Sequence, residues 1–212
     1  MVQLLREQTQ TKTLIYFPIV HSQADMGALG ESVRKASLKR IGRLGWKRKQ
    51  DLIERFWTEV EQAINKLDLA FDRVRIYQDG LPVSDREADI VAELAGTGSR
   101  NHALVLRLVG KGAILMGTES PELLLEEYEL AKKRFASGEP GGEDQAAKSL
   151  SNSLLNRRDQ FIAHRINETL CPEETGIIFL GMLHSPEQWL DKDIRVVYPL
   201  TRPQGSPQSG GR

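Results

Sequence analysis

The chain has 212 residues, with 29 Lys and Arg against 29 Asp and Glu, so its formal net charge is +0. That length suffices for one full α/β core, and the balanced charge gives no whole-molecule reason to expect nucleic acid or an anionic membrane as a partner. The single cysteine, Cys171, excludes an intrachain disulfide and a cysteine-only metal cage.

No apolar run reaches the length of a membrane span, and Met1 to Lys12 is too polar for a signal peptide. These features are read as those of a soluble, cytoplasmic protein with one α/β domain over residues 1–200 and a disordered tail over 201–212. The tail is rich in Pro, Gly, Ser and Gln.

In chain order, Thr13 to Val20 reads as a first strand, and His21 stands at its exit. The stretch Ser22 to Gly27 is a loop leading into a helix. From Glu31 to Lys49 the chain carries Arg34, Lys35, Lys39, Arg40, Arg43, Lys47, Arg48 and Lys49, a local basic cluster broken by Gly42 and Gly45. It reads as a solvated helical face, since only Trp46 is near enough to serve nucleic-acid stacking. Asp51 to Leu67 then sets Leu52, Ile53, Phe56, Trp57, Val60, Ile64 and Leu67 along one stripe, predicting a helix packed on a sheet.

Val74 to Tyr77 is a short second strand, and the turn Gln78-Asp79-Gly80-Leu81-Pro82 leaves Asp79 at its exit. Ser84-x-x-Glu87 is a capping box opening the next helix. Gly96 to Ser99 closes that helix as a loop with neither a P-loop lysine nor a dinucleotide fingerprint. Asn101 to Val109 is helical. Gly112 to Glu119 is a short strand with Glu119 at its polar end. Ser120-Pro121-Glu122 starts another helix, by cap, preset φ and dipole, and its stripe includes Leu124, Leu125, Tyr128 and Ala131. A polar link from Ser137 to Asp144 separates it from a long helical region, Ala146 to Leu170. Gly176 to Leu183 is a strand with His184 at its end, and Arg195 to Tyr198 is the last strand. The fold class is therefore α/β, a single domain whose central sheet is flanked by helices.

Two of only four histidines, His21 and His184, follow apolar strands, and strand ends of an α/β sheet are where ligands bind. Each either serves such a site or caps its strand by bonding nearby backbone. His102 and His164 sit within helical patterns and read as structural. Arg158 and Asp159 lie on the helix before the His184 strand, as site residues or as a surface ion pair.

The run Arg158-Asp159-x-x-Ile162-Ala163, followed by Gly181-x-x-His184, resembles the C-terminal part of the TraB/Tiki proteins. These are grouped with ChaN-like and erythromycin-esterase-like proteins in one superfamily. The first strand of such proteins ends in Gly-x-x-His; the counterpart here is Pro18-Ile19-Val20-His21, with proline in the glycine's place. The resemblance implies an α/β fold in which histidines and acidic residues from strand ends hold a divalent metal and support hydrolysis of a peptide or ester. On that reading His21 and His184 are metal ligands for Mn, Co or Zn, and Arg158 steadies charge. Glu119 and Asp79 compete for the ligand or general-base role. Two readings stand beside it. One is a non-catalytic domain binding a small ligand in the same cleft, and the other is a protein-interaction domain using the basic 34–49 segment.

Overall fold

Alternation along the strands decides the layering. The computed structural model describes residues 11–137 and 145–200, so the 138–144 part of the polar link and the 201–212 tail lie outside the described residues. Five strands form one sheet: β1 (Lys12–Ile19), β2 (Val74–Gln78), β3 (Ile114–Met116), β4 (Thr175–Gly181) and β5 (Ile194–Val197). Every pairing is parallel, in the order β3-β2-β4-β1-β5. The helices are α1 (Gly30–Asn65), α2 (Glu87–Gly96), α3 (Arg100–Gly110), α4 (Pro121–Ser137) and α5 (Gln145–Thr169).

Successive strand residues face opposite sides, and both sides here are apolar, as a parallel sheet requires. Ile15, Phe17 and Ile19 of β1 join Ile177 and Phe179 of β4 in a core completed by Ile53, Trp57, Val60 and Ile64 of α1, with Val91 of α2 and Leu104 and Leu108 of α3. Leu14 and Tyr16 of β1 and Ile178 and Leu180 of β4 face the other way, onto Ile162 and Ile166 of α5. Phe17 and Phe179 stack with centroids 5.5 Å apart, worth about 0.5–1.5 kcal/mol beyond their burial. The result is a single α/β domain with helices on both faces of the sheet, as the alternation of elements predicts.

Connections leaving β1 and β2 cover one face, and α4 and α5, following β3, lie over the other. The segment leaving β4, Pro186–Trp189, lies beside α5, so the connections of the adjacent strands β1 and β4 diverge at their carboxyl ends and leave a crevice.

Three local readings need correction. Leu52 is not in the buried stripe: it is 64% exposed, while Ile53 and Trp57 one turn on are buried. In α4, Leu125 is exposed and Leu123 takes the buried place. The capping box is half formed. Glu87 Oε1 accepts from the Ser84 backbone N–H at 2.7 Å, but Ser84 Oγ accepts from Arg86 N–H because the helix begins at Glu87. Ser120, by contrast, caps α4 as expected, accepting from Leu123 N–H at 3.2 Å.

Pro18 lies inside the sheet, where a missing N–H is normally excluded. It is tolerated because β5 pairs only with Lys12 to Ile15, so by Pro18 that edge of β1 has no strand beside it.

Candidate functional site

All four strand-exit residues meet at one end of the sheet. His21 follows β1 by two residues, Asp79 follows β2 directly, Glu119 follows β3 by three and His184 follows β4 by three. Because the strands are parallel, these exits share an end. Arg158 and Asp159, adjacent on α5, reach in from the helix layer, and both are buried.

Asp79 is the hub. Its Oδ2 accepts from His21 Nε2 at 3.0 Å and from the Gly181 backbone N–H at 2.7 Å. Its Oδ1 accepts from Arg158 Nη2 at 3.0 Å and lies 3.7 Å from His184 Nε2. Glu119 takes a two-pronged grip from Arg158, with Nε to Oε2 and Nη2 to Oε1 both at 2.6 Å, and Gly80 N–H donates to Oε1 at 2.7 Å. The loop bearing Glu119 is fixed to the loop after Asp79 through Val83 N–H to Glu119 O and Thr118 N–H to Leu81 O, both short. His184 Nδ1 donates to Asp159 Oδ1, whose partner oxygen accepts from Ser185 N–H at 2.8 Å. This second-layer carboxylate sets the tautomer and turns Nε2 toward Asp79 and Glu119.

Gly181 explains the glycine of the Gly-x-x-His run. A Cβ there would stand 3.0 Å from Asp79 Oδ2 and 3.1 Å from His21 Nε2. A side chain there would crowd the Asp79 carboxylate and the His21 ring, which would have to give way.

Charges follow from this geometry. Burial alone would push the Asp79 carboxyl up, but His21, His184 and Arg158 hold it well below the usual carboxylate range. In Glu119 burial prevails over Arg158 and the pKa is raised. Burial lowers the His184 pKa less than Asp159 and Asp79 raise it, and His21 is likewise raised on balance by Asp79. Arg158 is the permanent cation that Asp79 and Glu119 share. Glu127, at 2.7 Å from Arg158 Nη1, is half exposed on the rim.

Asp79, Glu119 and His184 each offer a ligand atom, all within 4.8 Å of one another, and this buried group could hold a metal ion. Two carboxylate oxygens and an imidazole nitrogen are a donor set suited to a divalent first-row metal. His21 stands against the opposite oxygen of Asp79 from His184, at the solvent side; its side chain is 32% exposed, whereas those of the other site members are almost fully covered. A cleft of about 240 Å³ opens beside it, lined by Gln23, Met26, Val33, Trp46, Lys49 and Gln50 among others. A second cleft, of about 590 Å³, shares Ser22, Gln23, Gln50 and Glu54 with the first.

A further polar cluster went unread in the sequence. Ser99, read as loop, caps α3 by accepting from His102 N–H at 3.2 Å. Its hydroxyl donates to Asp25 Oδ1 and accepts from His102 Nδ1 at 2.7 Å, while Asp25 Oδ2 accepts from Ser22 N–H. The only signal available was the Ser99-x-x-His102 spacing, since Asp25 is 74 residues away. With Ser99 wholly buried, this cluster ties the loop after His21 to α3. His164 is exposed and pairs with Glu168 on its own helix.

No family model, curated protein or solved structure matches the chain.

Proposed function

We propose that the protein is a metal-assisted hydrolase of a peptide or ester, working where the strands of the sheet end. The observation that carries this reading is the buried Asp79, Glu119 and His184 group, whose three ligand atoms lie within 4.8 Å of one another. Buried carboxylates are costly to ionise unless balanced, and a divalent cation of the Mn, Co or Zn kind would balance them. Asp79, Glu119 and His184 would hold it, and when bound such an ion supplies Lewis acidity and an activated water.

The chain's own residues then divide the work. Arg158 keeps Asp79 and Glu119 aligned and offers positive charge to a developing oxyanion. Asp159 orients His184. His21, the exposed member, meets substrate first in the cleft, and its raised pKa suits it to give a proton to a departing group. The two adjoining clefts have room for a short peptide or a comparable ester.

A second reading has a specific support. The raised pKa values of His21 and His184 let two imidazolium ions balance the same carboxylates without metal. The cleft would then bind a small ligand without turnover.

Elemental analysis separates the two. Dialysed protein incubated with Mn²⁺, Co²⁺ or Zn²⁺ is expected to retain near-stoichiometric metal, His184→Ala and Asp79→Asn to lose it, and His164→Ala to keep it. Folded parent that retains none would sink the hydrolase reading and leave the metal-free one.

A further inference from the structure

We propose that the exposed basic stretch of α1 docks on an anionic lipid bilayer. Between Glu31 and Asp51 the chain holds no acidic residue and eight basic ones, in a molecule whose formal net charge is zero. Lys39, Arg40, Arg43, Lys47 and Arg48 make no ion pair with any described residue. Arg34 and Lys35 pair with Glu31, and Lys49 lies over the Trp46 ring.

The stretch also lacks a core to pack on. α1 buries Gly30 and Ser37 near its start and Ile53, Trp57, Val60 and Ile64 toward its end, but no residue from Leu38 to Leu52 is buried. Gly42 breaks the helix within this stretch, and helical pieces so short are marginal in water without tertiary packing. Its apolar residues face solvent: Leu44 is 77% exposed, Leu52 64% and Ile41 38%. Leu44, Arg48 and Leu52 are four residues apart, so they share a helical row.

Charge alone would suit any polyanion. The exposed aliphatic side chains choose among them. A nucleic acid offers phosphates and base faces, and its binding calls for exposed aromatics, yet the one aromatic here, Trp46, lines the cleft beside His21. A bilayer surface offers anionic headgroups for Arg40, Arg43 and Lys47 and an apolar layer below them for Leu44 and Ile41. Docked this way, the mouth of the cleft, with Trp46 and Lys49 on its wall, lies at the lipid surface. The inference does not depend on the hydrolase reading, since it concerns side chains outside the metal group.

Co-sedimentation of the full chain with phosphatidylcholine vesicles, with and without phosphatidylserine, tests it at low and high salt. Binding is expected only with phosphatidylserine, and salt should weaken it. The triple reversal Arg40→Glu, Arg43→Glu and Lys47→Glu should lower binding by about tenfold or more. Leu44→Ser should lower it several-fold with no loss of helix by circular dichroism. The proposal is overturned if phosphatidylserine makes no difference, or if Leu44→Ser binds as the parent does. Tight binding of duplex DNA, or self-association, by a protein indifferent to vesicles would overturn it too, assigning the surface to that partner.

Discussion

At the scale of single residues, Arg158 concentrates most of the risk in this fold. It alone touches Glu119 and Asp79 from α5, and all three are buried. Arg158→Met leaves two buried carboxylates without their guanidinium and is expected to cost about 3–5 kcal/mol in urea unfolding. Adding Glu119→Gln should recover part of that loss by removing one orphaned charge. A single variant as stable as the parent would show that the cation is not what holds these loops together. The histidines set the response to pH. His21 and His184 are raised above their ordinary value of 6.5 in the folded protein. Their contribution is complete below 6.5 and is lost as pH rises through the raised values. The metal-free protein should therefore unfold at lower urea as pH climbs through that window, and His184→Ala should flatten the slope. A parent whose stability increases on the alkaline side would contradict the assigned charge state.

At the scale of elements, α1 is two things joined end to end. Gly42, at φ 68 and ψ 177, sits in a backbone region nearly closed to other residues and interrupts the helix. Gly45, only three residues on, keeps helical geometry. From Ile53 onward the helix is bolted to the sheet. Amide exchange followed by mass spectrometry should thus be fast over Leu38–Leu52 and slow over Ile53–Ile64; equal protection of the two halves would refute this division. The same element shows where sequence is legible and where it is not. Ile53, Trp57, Val60 and Ile64 repeat at helical intervals, so their burial could be read. Leu52 fits the stripe by type, yet it falls on the outer side, a matter of how the helix is rolled on the sheet. Strand exits are legible because each apolar run stops at or shortly before a polar residue, and His21, Asp79, Glu119 and His184 are those residues. Asp79 and Glu119 could not be ranked because both belong to one group, joined through Arg158. The Asp25 link to Ser99 and His102 was beyond reach, since tertiary packing alone brings them together.

At the scale of the whole molecule, the strand order places function at a crevice that no single segment owns. β4 lies beside β1, and the connections leaving these two strands depart over opposite faces. His21, Asp79, Glu119 and His184 arrive from four separate strands, so the site is a test of complete assembly. Among the described residues no helix is long and apolar enough to cross a membrane. The position of β1 has a further consequence, in time. Its partners β4 and β5 lie about 160 or more residues later in the chain. At about 5–20 residues per second of synthesis, the strand Leu14-Ile15-Tyr16-Phe17 waits on the order of ten seconds or more after it is made before either edge can be paired. A nascent chain thus carries an apolar strand with both edges open while everything from α1 to α5 is being made.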